Sequence, residues 1–351
     1  MTDAQEVFYM PDTVVDWPWP RIINPHFEEV KLESEAWLRS LKAFTPESQK
    51  AFDKGDFCLF SALVYPHASK EHLRSICDVM QLGFVIDEYT DVENADVTRE
   101  MIDVVIDALE DPHKPRPEGE IILGEMTRQF WELAIRTATP TAQRHFIRHF
   151  TEWLESVVVQ ARDRDVGICR SIEDYLVVRR DNAGTLFSFS LVHLGMDFSD
   201  DIFYHPVIVE LSRYATNMVI VDNDMASYNR EQATGDENHN LITAIRRELD
   251  LDVTNAMRWA ANYHAEFRDK FIDGLKRVPS WGPTLDRDMQ YYLNGIAHWV
   301  RGNTCWNFEG RRYFGDRGLE FQKTRMVPLL KKIKINPELH REEIVVADIE
   351  V

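Results

Sequence analysis

Cysteine is scarce in this chain: Cys58, Cys77, Cys169 and Cys305 are scattered, with no CxxC and no Cys/His spacing. Neither a disulfide framework nor a zinc site is expected, and a reducing compartment fits. Basic charge is also short. Forty lysines and arginines face 59 aspartates and glutamates, for a formal net charge of -19. Such a chain has no electrostatic footprint for nucleic acid or an anionic membrane surface, so phosphate must be reached through metal ions or a few local arginines. No run of about 18 uncharged apolar residues occurs, so neither a transmembrane helix nor stable membrane association is expected. The opening Met1 to Glu6 lacks the charged-then-apolar layout of a signal peptide, and a cytoplasmic location is expected. Fixed-period repeats and low-complexity linkers are missing, and strand-like alternation is scarce.

What is present is helical period. With 44% hydrophobic residues in 351, the chain can bury a sizeable core in one large domain or two. The first 25 residues are irregular, with Pro11, Pro18, Pro20 and Pro25 around Trp17 and Trp19. A helix is predicted from His26 to Phe44. Thr45-Pro46 reads as an N-cap with proline at the first helical position, opening a second helix that runs to Pro66. A third runs from Ser69 to Tyr89. After a proline loop at 111–117, helices are expected at about 120–138, 141–163, 171–195, 206–231, 239–277 and 284–308. About ten helices in one all-α domain are expected. The boundaries are an irregular segment 1–24, the domain 25–330 and a tail 331–351. Within the last stretch, Leu329-Leu330-Lys331-Lys332-Ile333-Lys334 reads as a packed or frayed tail, with membrane contact the alternative.

Two polar clusters interrupt apolar runs 136 residues apart, at Asp87-Glu88-Tyr89-Thr90-Asp91 and from Asn223 to Glu231. On a helix, Asp87 and Asp91 project about 40° apart, with Glu88 about 100° from Asp87. Two carboxylates at that spacing can share or bridge hard cations such as magnesium. A solvated acidic helix end is the bland alternative. Asn223, Ser227 and Glu231 lie at about 0°, 40° and 80° around the axis, one stripe along two turns. An amide oxygen, a hydroxyl and a carboxylate make a low-charge magnesium site. An ordinary polar helix face is the alternative, but it follows the mostly apolar Ala215 to Val221, where unpartnered polar groups are costly. Arg179-Arg180, Arg230 and Arg311-Arg312-Tyr313 are candidate anion receptors, because guanidinium presents a planar fork to phosphate oxygens; each taken singly reads as a surface residue. His145 and His149 share metal-pair spacing, yet they lack the glutamate of HExxH and sit among Arg144 and Arg148. A surface position is expected for both.

At these residues the chain resembles the class I terpene synthases, specifically the sesquiterpene synthases of mushroom-forming fungi. Asp87-Glu88-x-x-Asp91 is similar to their aspartate-rich motif, and Asn223-Asp224-x-x-Ser227-x-x-x-Glu231 to their second metal motif. Arg179 is similar to the diphosphate-sensing arginine, with Arg180 the fallback, and Arg312-Tyr313 to the C-terminal Arg-Tyr pair. Trp17-Pro18-Trp19-Pro20, Asn24-Pro25-His26 and Pro279-Ser280-Trp281-Gly282-Pro283 add to the likeness, which spans roughly residues 10–330. The resemblance implies a helical bundle with one central cavity. Asp87, supported by Asp91, would hold two Mg²⁺ ions and Asn223, Ser227 and Glu231 a third, with Glu88 the least certain member. Arg179, Arg230, Arg312 and Tyr313 would bind the diphosphate of farnesyl diphosphate. Asn182 and Ala183 occupy the linker and effector positions after the sensor, and asparagine there departs from the usual threonine or aspartate. Phe57, Phe60, Phe84, Phe187, Trp299 and Trp306 are candidates to face a carbocation, with plain core packing as the alternative for each.

The implied reaction is ionisation and cyclisation to a sesquiterpene, by 1,11-closure through a humulyl cation as in Δ6-protoilludene synthases. A 1,10-closure of cadinane or germacrene type is the runner-up. A prenyltransferase is disfavoured because no DDxxD motif occurs, a class II cyclase because no DxDD motif occurs, and a helical scaffold because no repeats occur. A monomer or homodimer is expected.

Overall fold

The computed structural model describes residues 6–332. Its helices, in chain order, are α1 (Phe27–Leu41), α2 (Pro46–Asp53), α3 (Phe57–Val64), α4 (Lys70–Thr90), α5 (Ala95–Glu110), α6 (Ile122–Ala134), α7 (Pro140–Asp165) and α8 (Ile172–Asn182). They continue with α9 (Thr185–Val192), α10 (Asp200–Phe203), α11 (Pro206–Thr234), α12 (Leu241–Leu249), α13 (Val253–Gly274), α14 (Pro283–Glu309) and α15 (Gly318–Thr324). Two three-residue strands, β1 (Val7–Tyr9) and β2 (Met326–Pro328), pair antiparallel with Phe8 opposite Val327. The fold is all-α, as expected. Of the start expected to be irregular, residues 6–24 are so except for β1 and 1–5 lie outside the described residues, as do the last two residues of the Leu329–Lys334 stretch.

Local chemistry sets the helix starts. Ser69 Oγ accepts from His72 N, and Asn94 Oδ1 accepts from Asp96 N and Val97 N, so orphan first-turn donors are met. Thr45-Pro46 and Thr139-Pro140 repeat a cap followed by proline. Three expected long helices are broken. The one read from Thr45 to Pro66 stops at Asp53 and restarts at Phe57. Asp56 takes a left-handed conformation at φ 46°, caps Leu59 N and pairs with Lys31 at 2.5 Å. The one read over 171–195 breaks at Gly184, φ 68°. The one read over 239–277 breaks after Leu249, where Asp250 adopts φ 52°. Helix α5 was not expected at all, and the total exceeds the ten foreseen.

Helices α3, α9, α11 and α14 pack around one interior, with α4, α7 and α8 completing its wall. Contact between α14 and α3 is close because Gly302 has no side chain: a Cβ there would lie 2.6 Å from the Leu63 carbonyl oxygen. That contact fixes the rotation of α14 and hence which residues look inward. On the far side, Arg301 donates to the carbonyls of Val14, Trp17 and Trp19, strapping the N-terminal segment over the bundle.

Candidate active site

The apolar face of α4 runs from Leu73 to Ile86, buried except for the half-buried Phe84, and delivers Asp87, Glu88 and Asp91 to the helix's C-terminal end. Carboxylates there oppose the helix dipole, and the last turn holds no basic residue. Compensation comes from elsewhere in the chain. Arg312 donates to Glu88 Oε1 at 3.0 Å and to Asp87 Oδ2 at 3.3 Å, while Arg164 reaches Asp91 Oδ1 at 3.4 Å. Two arginines do not balance the three acids. Enclosure by the walls, and then repulsion from Asp87, push the Asp91 carboxyl well above the usual range, although half of its side chain is exposed. Enclosure raises Asp87 too, against the pull of Arg312.

The second cluster lies across the cavity on α11. Asn223 Oδ1 accepts from Arg179 Nη2 at 2.9 Å, and its Nδ2 donates to the Tyr313 hydroxyl at 3.0 Å. Ser227 Oγ and Glu231 Oε2 both accept from Asn240 Nδ2, at 3.2 and 2.8 Å. Burial, helped by the Asp224 charge, pushes the Glu231 carboxyl up to about 7. Arg179 is anchored by Asp224 Oδ1 at 3.2 Å, and the other Asp224 oxygen accepts from the Tyr175 hydroxyl and Leu241 N. Asn182 Oδ1 accepts from Arg179 Nη1 at 3.2 Å, so the atypical linker residue touches the sensor candidate itself. Arg180 instead donates to Asn217, away from the cavity. Arg230 lines the cavity with no hydrogen-bond or ion-pair partner for its guanidinium among the described residues.

Both clusters open on one cavity of about 610 Å³. Its lining includes Asp87, Glu88, Asp91, Arg179, Asn182, Ala183, Asn223, Ser227, Arg230, Glu231, Arg312 and Tyr313 at one end, and Phe60, Phe84, Phe187, Trp299 and Trp306 deeper in. Phe60 stacks on Trp306 with centroids 4.4 Å apart and meets Trp299 edge-on at 5.2 Å. Phe57 is corrected: it does not line the cavity but stacks behind Phe84 at 3.8 Å. The donors are hard oxygens in carboxylate excess, at the end of α4 and along the C-terminal half of α11, a set that fits small divalent cations rather than zinc or a soft metal.

Sequence reasoning passed over Trp153, Tyr175, Arg164, His239, Asn240 and Asn303, all in or beside this lining. The stripe Phe146, Phe150, Trp153, Val157 on α7 was signal enough for Trp153. Arg164, Tyr175, His239 and Asn240 act through partners distant in sequence, and Asn303 is a single amide on an otherwise apolar helix face, so none left a local mark. His145 and His149 are also corrected, being 2% and 8% exposed. His145 pairs with Asp200 at 3.0 Å and His149 Nδ1 meets Ser190 Oγ at 2.8 Å; both rings pack against Phe203 and Tyr204, and that of His145 also against His193.

Comparison with known proteins finds relatives over nearly the whole chain. Residues 78–270 match the family described as terpene synthase family 2, C-terminal metal binding. Sesquiterpene synthase 14 of Postia placenta is 53% identical over 347 residues, 99% of each chain. Delta(6)-protoilludene synthase 8 of the same fungus is 55% identical over 343 residues, 98% of this chain and all of the relative. A delta(6)-protoilludene synthase of Armillaria gallica is 46% identical over 330 residues, 94% and 95% of the two chains. Among solved structures, α-eudesmol synthase superposes with a TM-score of 0.76 at 20% identity, over 84% of this chain and 98% of its own. A cucumene synthase variant gives 0.74, also at 20%, over 83% and 99%.

Proposed function

The chain belongs to the terpene synthase family, and from that premise we propose that it is a magnesium-dependent sesquiterpene synthase acting on farnesyl diphosphate. The carrying observation is that two oxygen-donor clusters and three arginines converge on the polar end of one aromatic-walled cavity. Asp87 and Asp91 would hold two Mg²⁺ ions, and Asn223, Ser227 and Glu231 a third. Bound there, the ions would neutralise charge on the departing diphosphate as Lewis acids. Arg179, Arg230, Arg312 and the Tyr313 hydroxyl donate to the same group, in a site where preorganised donors cost no reorganisation at the moment of reaction. Breaking the C–O bond then releases diphosphate and an allylic cation. The alkenes of the chain attack that cation, and proton loss ends the sequence.

The deep walls must exclude water and carry the migrating charge. Phe60, Phe84, Phe187, Trp299 and Trp306 present ring faces and edges to it, each face worth about 0.5–2 kcal/mol toward a cation. For Phe84, Arg312 already sits 5.0 Å from the ring centroid. We assign 1,11-closure to a humulyl cation and a Δ6-protoilludene-like product, supported by relatives bearing that name at 46–55% identity. Residues 25–330 would act as one catalytic unit, in the cytoplasm, as a monomer or homodimer. No helix among the described residues is long and apolar enough to cross a membrane.

Incubation with farnesyl diphosphate and gas chromatography–mass spectrometry of the extract tests this. A cyclic sesquiterpene hydrocarbon is expected with Mg²⁺ and none after chelation. A germacrene or cadinane skeleton as the main peak would overturn the 1,11 assignment. A longer linear diphosphate, or unchanged substrate with Mg²⁺, would overturn the synthase itself.

A further inference from the structure

Asn303 is out of place in its surroundings. It projects from α14 into the deep part of the cavity, between Trp299 one turn before it and Trp306 one turn after. The same lining takes hydrocarbon and aromatic side chains from the helices packed on α14, Phe60 from α3 and Val219 and Ile220 from α11. The residue is 1% exposed, and its Nδ2 finds no acceptor among the described residues. A buried amide with an unmatched donor destabilises the fold, and native interiors avoid it.

Other buried amides nearby differ. Asn217 also has an unmatched Nδ2, and Asn307 an unmatched Oδ1, but in each the opposite end is bonded, to Arg180 and to the Asp222 carbonyl. Neither lines the cavity. The Ser188 hydroxyl, which belongs to a lining residue, is satisfied by the Gly184 carbonyl. Asn303 alone among these brings an uncommitted amide to the hydrocarbon wall. Its placement is not slack, because the Gly302 contact with Leu63 on α3 fixes the helix rotation. Thr304, on the next residue, ties the same turn to Asp222 at 2.9 Å.

We propose that Asn303 is a specificity-determining residue: its fixed amide dipole orients the carbocation in the deep cavity and so selects among cyclisation outcomes. This rests on the synthase reading above. A farnesyl chain offers no acceptor beyond its diphosphate, which lies at the other end of the cavity. What passes Asn303 is instead a hydrocarbon whose positive charge moves from carbon to carbon. In a dry, low-dielectric wall, a dipole favours charge near its carbonyl end and disfavours it near its N–H end. The diphosphate machinery is not involved, so ionisation is left intact.

Valine and threonine have the same shape and differ by one hydroxyl, so Asn303→Val and Asn303→Thr separate polarity from volume. Each is incubated with farnesyl diphosphate and Mg²⁺, with diphosphate release and product distribution read together. Expected is diphosphate release within about tenfold of the parent in both. The ratio of principal to minor products should fall by at least about fivefold in Asn303→Val and be largely kept in Asn303→Thr. An unchanged distribution in Asn303→Val, or an equal shift in both variants, would overturn the proposal. If the valine variant does not fold, Asn303→Leu is read against threonine by the same criterion. Failure of the parent protein to yield a cyclic product would instead sink the synthase reading, whatever the variants do.

Discussion

Asn240 donates from one amide nitrogen to both Ser227 and Glu231, and also to the Asp224 carbonyl. A single side chain thus sets the spacing of two proposed metal ligands. Its Oδ1 caps α12 at Ile242 N, so alanine would remove cap and donor together. Asn240→Ser keeps a capping oxygen and loses the amide donor. We predict that both variants need about 10–100-fold more Mg²⁺ for half-maximal activity. Only Asn240→Ala should also lose about 1 kcal/mol of stability with the cap. Magnesium titrations and thermal melts separate the two effects, and an unchanged Mg²⁺ requirement in Asn240→Ser would refute the positioning role.

His193 makes a prediction of another kind. It is fully buried, neither ring nitrogen has a hydrogen-bond partner among the described residues, and burial pushes it from 6.5 down to about 3. The neighbouring His145 and His149 add like charge as they protonate. A folded value below the unfolded one means that stability is fully present above pH 6.5 and is lost as pH falls toward 3. Within that window each unit costs about 1.4 kcal/mol. His193→Leu should therefore lower the acid-unfolding midpoint by about half a unit. Circular dichroism across pH 3–7 reads it, and an unmoved midpoint would contradict it. Nothing local in the sequence marked this histidine, because its environment is built by α7, α10 and α14.

Among the elements, the breaks carry more meaning than the helices. Apolar periodicity gave α4, α11 and α14 nearly to the residue, because each buries one long face. It ran straight through Gly184 because α9 beyond it is buried nearly all round, so no change of period marks the break. What breaks the helix there is backbone: φ 68° at Gly184, with Phe187 Cε1 2.9 Å from where a Cβ would stand. The break turns Ala183 and Gly184 into the cavity wall, beside the Arg179–Asn182 contact. Gly184→Ala should cost about 1–2 kcal/mol from the left-handed backbone alone. Thermal unfolding measures this, and no change would mean the turn tolerates a side chain. The break at Asp56 is likewise one of backbone, φ 46° with the side chain capping Leu59 N, and its pairing with Lys31, 25 residues away, adds a contact that local spacing does not show. Helix α5, by contrast, carries its own readable signals, a cap at Asn94 and an apolar stripe from Met101 to Leu109.

Across the whole molecule, the two clusters were legible as oxygen-ligand stripes, but not the network that joins them. Arg312 spans from the C-terminal region to Asp87 and Glu88, and Asn223 bridges Arg179 to Tyr313. These are long-range pairings, and spacing in one dimension holds no trace of them. The same holds for Phe57, whose helix position suited the cavity while its ring stacks behind Phe84. The account as a whole requires that α4 and α11 act on one ligand. Calorimetric titration with inorganic diphosphate, with and without Mg²⁺, measures that coupling without any product analysis. We predict Mg²⁺-dependent binding that weakens on the order of 10–100-fold in Asp87→Ala and, separately, in Glu231→Gln. Binding that is indifferent to Mg²⁺, or that depends on only one of the two residues, would contradict a shared clamp.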